Sequence, residues 1–262
     1  MNGPILLAVS TLVLVLPLLL SHLSNANRPK RPRPEIHGAL RPMHWMMMGY
    51  CGLMYRLRTN GWAPLPEAGP ALLIANHTCG IDHMILQAGS RRVLGFMIAR
   101  EYYEWDKIHW FCKLVGCIPV NRDGRDIFAT RTALRALEDG RVVPIFPEGK
   151  ITPSSGRELG EIRPGAAYLA VRSGVPVIPA YITGTPLTNQ IGESLKTRSR
   201  AFVRFGPPLD LTDFHPDQAG DKEVLVEVSR RFREAFLALR AATLDESDGP
   251  PPVTMSRSMA AA

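Results

Sequence analysis

Cysteine is scarce in this chain, with four residues among 262, and no two of them form a C-x-x-C pair. So few thiols at irregular spacings cannot provide the disulfide framework that small secreted domains need, and we interpret them as free thiols in a reducing compartment. His109, Cys112 and Cys117 lie near one another, but on an apolar, aromatic stretch that lacks a fourth ligand. The sequence therefore predicts no metal site.

The sequence also lacks a G-x-S-x-G motif, an internal repeat and a flexible linker in its middle part. The missing motif argues against a serine esterase, and the missing linker favours one large α/β domain. The charges are unequal, because 31 Lys and Arg face 24 Asp and Glu, which gives a formal charge of +7 at pH 7. Such a charge fits anionic partners in general: a phospholipid surface, a phosphorylated substrate or nucleic acid.

Charged side chains are absent from residues 4–20, and the first Lys or Arg of the chain is Arg28. A helix over this stretch would be about 25 Å long, at the short end of what crosses a bilayer, and residues 21–26 can extend it. Residues 28–33 carry four basic side chains, and such a flank stays cytoplasmic. Residues 1–27 are therefore predicted to be a single-pass transmembrane anchor in the inner (cytoplasmic) membrane, with the remainder facing the cytoplasm.

A cleaved signal peptide is the alternative interpretation of this amino terminus. Residues 24–26, Ser-Asn-Ala, match a small-x-small cleavage site. However, no basic residue precedes the apolar run, and a basic cluster just beyond a cleavage site hinders export. The sequence thus favours the uncleaved anchor.

A second apolar segment occupies residues 43–58 and is rich in methionine and aromatic side chains, with arginines at both ends. It is too short to span a bilayer comfortably and too apolar for a solvated helix. We interpret residues 28–60 as a basic linker followed by an apolar interfacial helix. A helix packed into the core, with methionine as filler, is the alternative.

Apolar runs alternate with helical patterns from residue 71 onward. Strands are predicted at residues 71–76, 94–99, 117–122, 142–147, 175–184 and 201–205, and helices at 125–139, 164–173 and 222–241. Buried strands separated by helices predict an α/β fold with a mostly buried sheet flanked by helices, which we assign to residues 61–244. The Pro-, Ser- and Ala-rich residues 245–262 are predicted to be a disordered tail.

The polar cluster NHTCGID, residues 76–82, follows directly on the first predicted strand. Active sites of α/β proteins usually lie at the carboxyl ends of strands. His77 can act as a general base because its ordinary pKa is near neutrality, and Asp82 could hold its imidazole in one tautomer. No serine stands in a nucleophile position nearby, so the substrate itself would be the nucleophile.

Three further blocks stand in order after this cluster: GCIPVNR at 116–122, FPEGK at 146–150 and VPVIP at 175–179. With these four motifs the sequence resembles the glycerolipid acyltransferase family over residues 70–185. The resemblance implies a glycerolphosphate-acyltransferase-like fold and transfer of a fatty acyl group to the free hydroxyl of a lysophospholipid. It also implies catalytic roles for His77 and Asp82, and no cofactor, with acyl-CoA or acyl-carrier protein as co-substrate.

The same resemblance places the acceptor contacts in two blocks. Asn121 and Arg122 end one block, and guanidinium groups suit a phosphate. Glu148 and Gly149 stand in the FPEG motif, and Lys150 follows where the family commonly has threonine, so Lys150 could add a phosphate contact.

The expected acceptor is the membrane lipid 1-acyl-glycerol-3-phosphate, which would give phosphatidic acid. The departures at residue 150 and in residues 158–166 leave two alternatives open. One is an acyltransferase for another lysolipid, such as lyso-ornithine lipid, and the other is a non-catalytic lipid-binding protein of the same fold. We expect no nucleic-acid partner, since only the net charge would favour one.

Overall fold

The computed structural model describes residues 36–38, 40–121, 126–188 and 190–247. The predicted anchor at residues 1–27 lies outside these ranges, as does most of the predicted tail. In the part of the chain that is described, no helix combines the length and the apolar character required to cross a membrane.

The described chain alternates short strands with helices, as the apolar runs predict. Its strands are β1 Arg58–Thr59, β2 Ala71–Ala75, β3 Met97–Ala99, β4 Ile118–Val120, β5 Val142–Ile145, β6 Val177–Thr183 and β7 Phe202–Phe205. Its helices are α1 Leu40–Met54, α2 Asp82–Ala88, α3 Arg100–Tyr103, α4 Asp106–Val115, α5 Ile127–Glu138, α6 Pro164–Ser173, α7 Ile191–Lys196 and α8 Lys222–Ser247, with a 3₁₀ turn at Pro216–Gly220.

Five strands form a central sheet in the order β1-β7-β6-β2-β5, while β3 and β4 pair with each other in parallel. Strand β2 is parallel to both of its neighbours, and β6 and β7 form the antiparallel pair. A bridge between Leu94 and Val142 ties the β3 segment to β5. All six predicted strands contain an observed one, so the predicted α/β fold with a sheet flanked by helices is confirmed.

Strand β2 is buried along its whole length because helices cover both faces of the sheet. Leu73 points into a core shared with α1 and α2. Leu72 and Ile74 point the opposite way, into a core shared with α5, α6 and α8. A strand buried on both faces needs apolar residues at every position, which explains why ALLIA shows no polar alternation.

Helix α1 is packed on one side and exposed on the other. Cys51 and the adjoining Tyr55 are fully buried, and the Tyr55 hydroxyl donates to the Ser194 carbonyl at 3.1 Å. Met46 and Leu53 are among its exposed apolar residues. The two interpretations of residues 43–58 therefore describe opposite faces of one helix. Because Tyr55 is in the core and β1 is in the sheet, the fold begins before the boundary predicted at residues 60/61.

Helix α8 closes the second face of the sheet with the apolar stripe that its sequence predicts. Val228, Phe232 and Phe236 are fully buried, one helical turn apart. The helix continues to Ser247, so the tail boundary predicted at residue 245 lies inside it. Residues 248–262 are outside the described part.

Replacing Phe236 with alanine should destabilise the fold by about 3–5 kcal/mol, because the buried ring leaves a cavity between α8 and the sheet. Its neighbour Leu237 is 42% exposed, and Leu237→Ala should change stability by less than about 0.5 kcal/mol. Urea unfolding of the two variants measures the difference. Equal losses would show that α8 does not pack as described.

Candidate active site

Polar residues follow the ends of three strands that point to the same edge of the structure. His77 comes two residues after β2, Glu148 three residues after β5, and Asn121 directly after β4. We call this the carboxyl edge. Parallel strands bring such residues together at one edge of the sheet, as expected from the positions of the motifs.

His77 and Asp82 form the pair that their spacing predicts. The His77 Nδ1 atom lies 2.7 Å from Asp82 Oδ2, and the two side chains are 19% and 0% exposed. With the carboxylate as acceptor, the imidazole carries its proton on Nδ1 and keeps a lone pair on Nε2. The histidine can therefore accept a proton at Nε2.

The buried carboxylate of Asp82 also fixes the conformation of the loop between His77 and Asp82. It accepts hydrogen bonds from the backbone N–H groups of Thr78 and Cys79 and from the Thr78 hydroxyl. Asp82 is the first residue of α2, where the helix dipole favours a negative charge. These donors compensate for the loss of water around the carboxylate and fix the turn that carries His77.

Phe146 holds the imidazole from one side. The rings of His77 and Phe146 are stacked with centroids 4.1 Å apart and planes 9° from parallel. A second phenylalanine, Phe96, continues the row with its centroid 6.4 Å from that of Phe146. The stacked ring of Phe146 and the hydrogen bond to Asp82 therefore hold the imidazole in this orientation.

Glu148 is buried at 6% exposure, and its carboxylate bridges two loops. Oε1 accepts from the His77 backbone N–H at 2.8 Å, and Oε2 accepts from the Gly160 backbone N–H at 2.9 Å. Burial raises the pKa of this carboxyl group, and the two N–H groups oppose that shift. Both carboxylate oxygens of Glu148 therefore accept from the backbone, one of them from His77 itself, and its predicted contact with substrate stays a prediction.

Gly149 and Lys150 stand exposed beyond Glu148. Gly149 has φ of 72°, and a side chain there would come within 2.9 Å of the Arg163 Cδ atom. Arg163 is held in place by its backbone N–H, which donates to the Pro147 carbonyl at 2.9 Å. A second basic side chain therefore lies beside the predicted acceptor residues, within residues 158–166, where the sequence departs from the family pattern.

The block ending at Arg122 is only partly described. Asn121 is exposed, and its backbone N–H donates to Asp126, which caps α5. Arg122 itself lies outside the described residues, so its predicted contact with a phosphate stays a prediction.

Other contacts at the site were not predicted. The Asn76 side chain exchanges two hydrogen bonds with the backbone of Ile182, which joins the ends of β2 and β6. The Thr185 hydroxyl donates to the Thr78 hydroxyl at 2.7 Å, which in turn donates to Asp82. Asn76 belongs to the motif that identified the site, whereas nothing in the local sequence marks Thr185, 107 residues away from Thr78.

Within the described ranges, no group of three or more His, Cys, Asp or Glu side chains is arranged to hold a metal ion. His109 uses its Nδ1 atom on the Tyr103 carbonyl at 2.8 Å.

Comparison with known proteins gives a consistent result. Residues 56–183 match the family model described as Acyltransferase. The chain is 28% identical over 156 residues to the chloroplastic 1-acyl-sn-glycerol-3-phosphate acyltransferase of Arabidopsis thaliana, which is 58% of this chain and 41% of that protein. It is 24% identical over 170 residues to the 1-acyl-sn-glycerol-3-phosphate acyltransferase of Streptococcus pneumoniae, or 64% and 60% of the two chains. The matched region spans about half the length of such relatives.

The fold has a counterpart among solved structures. The crystal structure of the 1-acyl-sn-glycerophosphate acyltransferase PlsC from Thermotoga maritima aligns with a TM-score of 0.56 at 21% identity, over 74% of this chain and 80% of that one. His77, Asp82 and Glu148 all lie within the region that matches the family model. Residues 56–183, which hold the candidate site, match the Acyltransferase family model, and in this region the chain resembles 1-acyl-sn-glycerol-3-phosphate acyltransferases.

Proposed function

We propose that this protein transfers a fatty acyl group from acyl-CoA or acyl-carrier protein to the free hydroxyl of 1-acyl-glycerol-3-phosphate, which yields phosphatidic acid. The observation that carries the proposal is the imidazole of His77, which is oriented by the buried Asp82 and keeps Nε2 available. The names of the relatives support the same reaction class and acceptor.

The proposed step is direct transfer with His77 as general base. Nε2 takes the proton of the acceptor hydroxyl while its oxygen attacks the thioester carbonyl carbon. The carbon–sulfur bond then breaks, and the leaving thiolate takes the proton from the imidazolium. Asp82 stabilises the charge on that imidazolium, and its hydrogen bond to Nδ1 keeps the ring in the reactive tautomer. The thioester is already activated, so the step needs no acyl-enzyme.

The acceptor phosphate is proposed to bind beside the base, near Arg122, Asn121 and the exposed Lys150. Gly149 supports this site because a side chain there would fill the space against Arg163. Its bare backbone can approach a ligand closely.

We also propose that the protein works at the inner membrane with its active site in the cytoplasm, since the acceptor is a membrane lipid. The exposed face of α1 supports this placement: Trp45 is 43% exposed, Met46 72% and Leu53 74%. A helix with one apolar face open to solvent is typical of an interfacial segment.

Replacing His77 with alanine should lower acyl transfer by about 10²–10⁴-fold, because the acceptor hydroxyl loses its base. The measurement is transfer from radiolabelled acyl-CoA, and then acyl-carrier protein, to a panel of lysolipids. His215→Ala, at a histidine whose side chain is 74% exposed, is the control and should keep full activity.

Three results of this panel bear on the proposal. Transfer to another lysolipid alone would keep the mechanism and change the acceptor. Wild-type turnover that survives in His77→Ala would contradict the role of the base. Folded wild-type protein that transfers no acyl group from either donor would contradict the catalytic function.

Replacing Glu148 with glutamine should destabilise the protein by about 1–3 kcal/mol, since one buried N–H would face an amide NH₂ instead of an acceptor. The catalytic rate constant should fall with it, because the His77 backbone is held by Glu148. Glu158→Gln, at an exposed carboxylate of the same loop, is the matched control. If Glu148→Gln raises only the KM for the acceptor, Glu148 binds substrate rather than supporting the loop.

Replacing Lys150 with alanine should lower kcat/KM for 1-acyl-glycerol-3-phosphate by about tenfold or more, the value of one hydrogen bond to a charged group. Any residual transfer to a monoacylglycerol, which has no phosphate, should not change. Parallel kinetics with the two acceptors give the comparison, and an equal loss on both would exclude a phosphate contact.

A further inference from the structure

Large apolar side chains are exposed at the carboxyl edge, around the catalytic loop. Trp105, between α3 and α4, is 51% exposed, and Ile127 and Phe128, the first two residues of α5, are 62% exposed each. Leu187, in the loop after β6, is 58% exposed. We call these four side chains the active-site rim.

The segments that carry the rim follow strands on both sides of β2, whose loop carries His77. Strands β3 and β4 pair in parallel, so the segments carrying Trp105 and Ile127 follow neighbouring strand ends, and Arg100 of α3 interacts electrostatically with the α5 cap, Asp126. On the other side, the Cβ position of Gly156 is 2.9 Å from the Leu187 side chain and 3.6 Å from the Cβ of Thr78, the residue after His77. The rim therefore borders the site from which a lipid must be taken.

Basic side chains accompany the rim at the same edge. The Lys107 ammonium lies 5.6 Å from the centre of the Trp105 ring. Six further exposed basic residues lie in the segments between β5 and α6 and between β6 and β7: Lys150, Arg157, Arg163, Lys196, Arg198 and Arg200. Aromatic side chains mixed with lysine and arginine are suited to the headgroup region of an anionic membrane.

We propose that the active-site rim inserts into an anionic phospholipid bilayer and sets the active site against the lipid surface. Apolar side chains that enter the boundary between headgroups and acyl chains reach a depth of about 5–10 Å. At that depth the base would meet the acceptor hydroxyl at the level where a lysophospholipid presents it. This proposal rests on the proposed lipid acceptor, and it adds a contact separate from the exposed face of α1.

A chain with Trp105 as its sole tryptophan tests the insertion directly. Trp45, Trp62 and Trp110 are replaced by phenylalanine, and the full chain is mixed with phosphatidylglycerol–phosphatidylethanolamine vesicles carrying brominated acyl chains. Trp105 fluorescence should shift to the blue and lose most of its intensity, because bromine quenches only indoles that reach the acyl chains. Trp105 that stays unquenched and unshifted, on protein that sediments with the vesicles, would overturn the proposal, as would a chain that binds no vesicles.

The matched control has all four tryptophans replaced and a single new one introduced by Leu237→Trp. Leu237 is 42% exposed on α8, which covers the sheet face opposite α1. This control should keep its emission in the presence of vesicles. Quenching equal to that of Trp105 would show contact without orientation and would overturn the assignment to the rim.

Activity provides a second readout through the double variant Trp105→Ser/Phe128→Ser. Transfer to an acceptor presented in vesicles should fall about tenfold, while transfer to a monomeric short-chain acceptor should be unchanged. Equal losses with both acceptors, or a raised KM for acyl-carrier protein alone, would assign the rim to substrate binding and overturn docking. Absence of transfer by the wild type would contradict the proposed function instead, since quenching requires no turnover.

Discussion

The buried charge of Asp82 is the constraint on which the rest of the site depends. A carboxylate without water must be surrounded by donors, and the loop from His77 to Cys79 folds so that its N–H groups and a hydroxyl point inward. The imidazole of His77 is one of these donors, so its orientation is set by the need of the Asp82 carboxylate for hydrogen bonds. Glu148 is also buried, and its carboxylate likewise accepts a hydrogen bond, in this case from the backbone N–H of His77.

Much of the fold could be predicted because the central strands β2, β5, β6 and β7 are largely buried and form apolar runs in the sequence. The pairing of His77 with Asp82 could be predicted because the two residues are close in sequence. The carboxylate of Asp82 also finds its other hydrogen-bond donors within the same turn. The position of Phe146 and the hydroxyl of Thr185 could not, since they depend on which strands become neighbours in the sheet. The hydrogen bonds of Glu148 to the backbone of His77 and Gly160 could not be predicted either, since they depend on β2 and β5 being neighbours.

The two sides of the candidate active site, the protein interior behind His77 and the surface in front of it, have opposite physical requirements. The proposed base, His77, needs a rigid support, and Asp82, Thr78 and Glu148 behind it are buried and hydrogen-bonded. The surface in front of it is proposed to receive a lipid, and there apolar and basic side chains stand exposed. One short loop after β2 separates these environments, so His77 lies at the transition between the protein core and the proposed membrane surface.

The support of the base comes from within the β2 loop and from Glu148, whereas the exposed basic and apolar side chains belong to the loops after β3, β4, β5 and β6. The proposed chemistry and the proposed choice of acceptor therefore depend on different side chains, although the loop after β5 carries some of each. The exposed side chains of the outer loops can be exchanged while the buried hydrogen bonds around His77 are kept. Redesign of acceptor preference should start from Lys150, Arg157 and Arg163 and leave the β2 loop, Glu148 and Gly160 intact.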